Sequence, residues 1–412
     1  MDKILFTIVL FVVFRLIRSL YREGFYLITV WLIYILIEVV FGFISKELFS
    51  DEAGFETSFS MDFLLVFFIS TISIYFGFKI FINRRKLMES NTVFKTLNNR
   101  VNKVLLLMLV PFLFVTFRLM NLKSDGILKD NRALIVEDFS GLEFLMLKFG
   151  FVILALIAYK KSKWNVLNII LVLFVLFSFS LYGGRFLIFS GIIIFFLIYY
   201  HNINNFKRLL RWQFLFPLFV GYLIVSIFIS NTRYYMSYNY SFQETLNSEF
   251  YAHTAFRQLG GNWLEFSRVS DIKDEIPLSQ FFFPTLLEGF LPESIRNQFF
   301  FDFFKNRISY GKYFAQKVAE DDNALRMNFT NEIFFSFGYF GVVIYSMLIG
   351  TLFFYFERII WTARFPVAIF FFIQLMSAHI LGINTISSSV LLILTMALIF
   401  KYGNLYRSIK SN

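Results

Sequence analysis

"VLNIILVLFVLFSFSLYGGRFLIFSGIIIFFLIYY", from Val166 to Tyr200, is apolar almost throughout, but Gly183, Gly184 and Arg185 interrupt it. Each flank is close to the length a helix needs to cross a hydrocarbon core of about 30 Å. The stretch therefore reads as two membrane helices joined by a tight turn. Arg185 is then either an ordinary turn residue or a working group at the membrane surface.

The same signature recurs along the chain. Of 412 residues, 58% are hydrophobic and 21% aromatic, with 62 phenylalanines. Soluble domains sit near about 45–50% apolar. Spans of this kind are read at 3–17, 25–44, 61–82, 104–120, 142–159, 164–182, 186–200, 213–231, 332–356, 365–384 and 386–400. The expected fold class is all-α: a polytopic transmembrane bundle of about eleven spans with one long helical external loop. Three regions follow: 1–231 with eight spans, 232–331 as the long loop, and 332–412 with three spans and a tail. The chain has no cysteine, which rules out disulfides, thiol catalysis and Cys-based metal sites. The apolar run at Ile4–Val13 lacks a small-residue cleavage site, so no cleavable signal peptide is read there.

The net charge of +11 is sorted between loops. One alternating set carries 20 Lys/Arg and three acids, Glu23, Glu89 and Glu357. The other includes "SKELFSDEAGFETSFS" (45–60), with one base and four acids. It also includes "NLKSDGILKDNRALIVEDFSGLE" (121–143), with three bases and five acids. Basic loops stay in the cytoplasm, so the N-terminus and the long loop are expected outside and the C-terminus inside. Sorting accounts for the charge, and no nucleic-acid partner is needed. In the long loop, Phe242, Leu246, Phe250, Phe256, Leu259, Trp263 and Phe266 recur at helical spacing. The loop is read as amphipathic segments lying on the outer membrane face or capping the bundle.

Ionisable groups inside a membrane cost at least about 2.5–3.5 kcal/mol at its centre, so each is a functional candidate. By this topology Glu38, Asp62, Arg118, Lys148, Arg185, Arg233, Glu332 and His379 collect in the outer half. Each also has a bland role. Arg118 and Lys148 would pair with Glu38 or Asp62, and Glu332 would be a first-turn carboxylate favoured by the helix dipole. His253 and His379 would be packed or solvated. Three scattered histidines without cysteine argue against a transition-metal site. "AEDDN" (319–323) lacks the alternation and glycine of a calcium loop. No Gly-rich nucleotide loop stands beside a strand. No metal or cofactor is expected.

Three stretches, in order, resemble the Wzy-type bacterial polysaccharide polymerases of O-antigen and capsule synthesis. "GGRFLIFSG" (183–191) is similar to that family's Gly-Arg outer turn. "EGFLPESIRNQFFFDFFKNRISYGKYFAQ" (288–316) is similar to the proline-containing part of its large outer loop. "NFTNEIFFSFGYFGVVIYSMLIG" (328–350) is similar to its Glu followed by a Phe-Gly-x-x-Gly helix. Some members carry arginine-to-glycine repeats; the interval from Arg326 to Gly338 is one residue too long, and no repeat is assigned.

The resemblance implies a GT-C-like glycosyltransferase that uses neither metal nor nucleotide sugar. It would transfer a growing glycan from polyprenyl diphosphate to the sugar of a new lipid-linked repeat unit, releasing polyprenyl diphosphate. Its location would be the bacterial cytoplasmic membrane, with a chain-length regulator and a flippase as partners beside the lipid-linked oligosaccharides and the bilayer. The chemistry needs cations for the leaving diphosphate and a base for the acceptor hydroxyl. Arg185, Arg233, Arg257 and Arg326 are the first candidates for the cations, with Arg118 and Lys148 behind them. Glu332 is the first candidate for the base and His253 the second. The alternatives are an O-antigen ligase of similar topology, a lipid-linked oligosaccharide flippase or other transporter, and a membrane O-acyltransferase using His379.

Overall fold

The computed structural model describes residues 3–49, 61–82, 93–94, 98–124, 141–160, 165–182, 185–202, 220, 266, 328–360, 365–381, 386–402 and 408–409. Ten helices lie within these residues: α1 (Lys3–Arg22), α2 (Tyr26–Phe49), α3 (Met61–Ile82), α4 (Asn98–Ser124), α5 (Gly141–Tyr159), α6 (Val166–Leu181), α7 (Arg185–Asn202), α8 (Phe329–Ile360), α9 (Phe365–Leu381) and α10 (Ile386–Tyr402). A two-residue antiparallel ladder, Val93–Phe94 (β1) with Ser408–Ile409 (β2), is the one strand pairing among them. Each expected span within the described residues falls on a helix; that at 213–231 lies outside them except for residue 220, as does nearly all of 232–331.

Among the described residues, five helices are long and apolar enough to cross a membrane: Lys3–Arg22, Tyr26–Ile44, Met61–Phe81, Val101–Asn121 and Phe329–Ile360. Shorter apolar helices cover Val166–Leu181, Ser190–Tyr200, Phe365–Met376 and Leu392–Lys401. The outward faces agree with this. Ile4, Ile8, Phe11 and Phe14 on α1 are exposed, and so are Leu106, Val110, Phe114 and Phe117 on α4. These positions repeat every three or four residues, one stripe of a helix. Such a ridge is unfavourable in water and at home against lipid tails. Charged groups lie inside instead: Glu38, Glu143, Lys148, Glu332 and Glu357 are all buried. The chain is a multi-pass membrane protein.

It divides into two compact units, one of residues 1–88, 256–358 and 375–389, the other of residues 89–255, 359–374 and 390–412. In the first unit, Phe6 of α1 stacks on Phe43 of α2 at 4.2 Å, pairing the start of one helix with the end of the next. Trp31 of α2 meets Phe353 of α8 at 5.3 Å, and Phe78 of α3 meets Phe354 at 6.3 Å. The Tyr339 hydroxyl donates to Asp62 at the start of α3. These contacts run α3 and the long arm of α8 in the same direction. Between the two ends of that seam the backbones nearly touch. A Cβ on Gly350 would stand 2.1 Å from the Ile74 carbonyl oxygen, and one on Gly77 would stand 2.3 Å from that of Met347. Small residues allow this approach, which gives membrane helices their packing energy.

In the second unit, α4 to α7 pack around Phe179 of α6. Its ring meets Phe151 of α5 at 5.0 Å and fits where Gly150 and Gly191 leave room, since a Cβ on Gly150 would lie 2.7 Å from that ring. Thr116 of α4 and Ser178 of α6 hydrogen-bond at 3.1 Å. Tyr159 ends α5 against Phe365 of α9 and Phe400 of α10, at 5.6 and 5.1 Å. The start of α9 and the end of α10 thus lie together, so these two helices run in opposite directions.

Candidate functional site

Helix α8 is two arms joined at Gly338, whose φ of 65° and ψ of −161° are not helical. Such a φ costs an L-residue about 1–2 kcal/mol, whereas glycine adopts it freely. Were the helix straight, Phe329 and Tyr345 would lie roughly 24 Å apart at 1.5 Å per residue. Their rings instead meet edge to face, 4.7 Å between centroids. Ile333 likewise reaches Gly341, where a Cβ would stand 3.2 Å from Ile333 Cγ2 and 2.5 Å from Phe337 Cβ. Gly338 makes the turn, and Gly341 lets the short arm lie back along the long one.

The straight span expected at 332–356 is thereby corrected. The crossing arm runs from Tyr339 to Ile360, a rise of roughly 33 Å, still enough for a hydrocarbon core. Glu332 does not open the span. It lies on the folded-back arm, buried, within electrostatic reach of Tyr345. Tyr345 is six residues beyond Tyr339, so this level is roughly 9 Å along the helix from the elbow.

The short arm begins at a cap. Asn328 Oδ1 accepts from the Asn331 N–H at 2.8 Å, and the Asn328 carbonyl accepts from the Glu332 N–H at 3.1 Å. An asparagine N-cap contributes on the order of 1 kcal/mol. Asn328, Thr330, Asn331 and Glu332 are all buried, so the arm sets a polar turn inside the protein. At its other end the Ser336 hydroxyl donates to the Glu332 carbonyl at 2.6 Å. Phe334 and Phe335 pack on Phe266 at 5.4 and 5.0 Å, and Phe266 meets Phe63 of α3 at 6.0 Å.

In the second unit, Arg118 near the end of α4 forms an ion pair with Glu143 in the first turn of α5. The expected partners were Glu38 or Asp62. Asp62 instead takes a hydrogen bond from Tyr339, and both it and Glu38 belong to the first unit. Lys148 is buried, with Nζ 4.5 Å from the centroid of the Phe144 ring one turn back on the same helix. A desolvated cation over an aromatic face is worth about 2 kcal/mol. Phe144 packs in turn on Tyr182 at 5.4 Å, immediately before the Gly-Gly-Arg turn. Arg185 is the first residue of α7. Its side chain lies outside the described residues, as do Arg233, Arg257, Arg326 and His253 altogether.

The described candidates thus fall into two groups. Glu332 stands in the first unit; Arg118 and Lys148 stand at one end of α4 and α5 in the second, and Arg185 belongs to that unit too. Sequence reading missed Asn328, although an Asn directly before an apolar helix is a legible cap signal. It also placed Glu357 among the cytoplasmic loop acids. Glu357 is instead buried, and its Oε1 accepts from the N–H groups of Leu27, and of Ile28 at 3.2 Å. It caps the start of α2 from the far end of α8, a role no local pattern announces. Among the described residues, no group of three or more His, Asp or Glu side chains is placed to hold a metal ion.

No protein-family model, curated protein or solved structure matches the chain.

Proposed function

We propose that the protein polymerises polyprenyl-diphosphate-linked oligosaccharide repeat units at the outer face of the bacterial cytoplasmic membrane. The reading rests on the three polymerase-like stretches in their order, on the sorted loop charge, and on one observation above all. Glu332, the acid of the third stretch, is not on an open loop: the Gly338 elbow folds it inside a helical hairpin.

In this mechanism the Glu332 carboxylate takes the proton of the acceptor hydroxyl. The hydroxyl oxygen then bonds to the anomeric carbon of the growing glycan, and the bond from that carbon to the diphosphate oxygen breaks. The diphosphate leaves with the electron pair. Basic side chains hold its developing charge, the largest kind of contribution in such transfers. Arg118 and Lys148 are the candidates among the described side chains. Arg185, Arg233, Arg257 and Arg326 remain the other candidates. An apolar groove between helices takes the polyprenyl tail. The reaction class is a GT-C-like glycosyl transfer without metal.

Expression in a polymerase-null strain tests the reading. A ladder of glycan lengths is the expected result. A strain that moves lipid-linked units outward without a ladder would replace polymerisation with transport. Attachment of a single unit to lipid A would replace it with ligation.

A further inference from the structure

We infer that Asn328 is a substrate-binding residue that positions the acceptor hydroxyl for Glu332. This deepens the proposed function and rests on it. The Asn331 N–H, a donor, fixes which side of the Asn328 amide faces the cap: it must be Oδ1, at 2.8 Å. Nδ2 is therefore turned away from the cap with both of its hydrogens. Asn328 is fully buried, and Nδ2 has no hydrogen-bond partner among the described residues. Leaving a buried donor unmatched costs about 1–3 kcal/mol, which an incoming oxygen removes.

Glu332 follows one helical turn later, its N–H bonded to the Asn328 carbonyl. Residues four apart lie on one face, about 5–6 Å between Cβ atoms. A donor and a carboxylate at that spacing match the two needs of one sugar hydroxyl. Its oxygen accepts from Asn328 Nδ2 and its proton goes to Glu332. The amide orients the lone pair while the carboxylate removes the proton, and the oxygen then forms the new glycosidic bond.

The test compares Asn328→Asp and Asn328→Ser with wild type, using purified full-length protein and lipid-linked repeat units extracted from the host strain. Asp and Ser are N-caps as good as Asn, so both variants keep an oxygen for the Asn331 N–H and lose the amide donor. The expected result is a KM for the acceptor raised about tenfold, the value of one buried hydrogen bond. The turnover number stays within about threefold and the melting temperature within a few degrees of wild type. Wild-type kinetics in both variants would overturn the inference. So would a fall in melting temperature with unchanged activity per folded molecule, which would make Asn328 a cap and nothing more. If wild type itself made no polymer from these units, the failure would lie with the polymerase reading, and the role of Asn328 would fall with it.

Discussion

The two ends of α8 each bury a glutamate, and they hold it in opposite ways. Glu357 is met by backbone: the first N–H groups of α2 converge on one of its oxygens, and the pair joins residues 330 positions apart. Such a carboxylate is engaged in holding two helices. Glu332 lies on a short arm at whose start Asn328 accepts from the N–H groups of Asn331 and Glu332. It was brought inside by a glycine elbow with a defined backbone geometry. Burial alone does not separate the two, since Glu357 is 1% exposed and Glu332 6%; what each carboxylate does is read from its substitution.

Glu332→Gln should break the comparison most visibly. It keeps shape and hydrogen bonding and removes the base, so activity should fall about 100- to 10,000-fold. The melting temperature should change little. Ladder length in cells and turnover of purified protein both read the effect, and a full ladder would remove Glu332 from the mechanism. Glu357→Ala should do the reverse, leaving the α2 N–H groups unmatched in a buried place. We expect a loss of about 1–3 kcal/mol in unfolding free energy, with activity per folded molecule retained. Strong loss of turnover without loss of stability would mean that the latch, too, is chemical. Arg118→Ala should have the smallest effect on activity. Its side chain is 43% exposed but that of Glu143 only 8%. The change takes the ion-pair partner from a buried carboxylate, so it should lower stability while activity per folded molecule is retained. A large fall in activity from Arg118→Ala would restore it as a diphosphate contact.

The helices were legible because composition alone specifies them. In runs such as Met61–Phe81 a helix satisfies every backbone group within the segment, as lipid requires. The elbow at Gly338 was not legible. Phe-Gly-Tyr-Phe-Gly has the apolar character of its surroundings, and a glycine within a membrane helix is ordinary. The backbone angles of Gly338 and the contact between Phe329 and Tyr345 reveal the reversal. Ion-pair partners failed for a related reason. Sequence ranks acids by depth, but Arg118 chose Glu143 because α4 and α5 are neighbours whose ends meet. Glu357 is the extreme case, since its cap depends on packing across most of the chain.

The fold-back of α8 carries the whole account, and the absence of cysteine makes it directly measurable. With Phe329→Cys and Tyr345→Cys introduced together in the full-length protein in membranes, a short thiol-to-thiol cross-linker should join the two cysteines. Rapid cross-linking of this pair, with none for Phe329→Cys paired with Tyr355→Cys, is the predicted result. No cross-link at Tyr345, with spin labels at the same positions reporting roughly the 24 Å of a straight helix, would contradict it and return Glu332 to the mouth of the span.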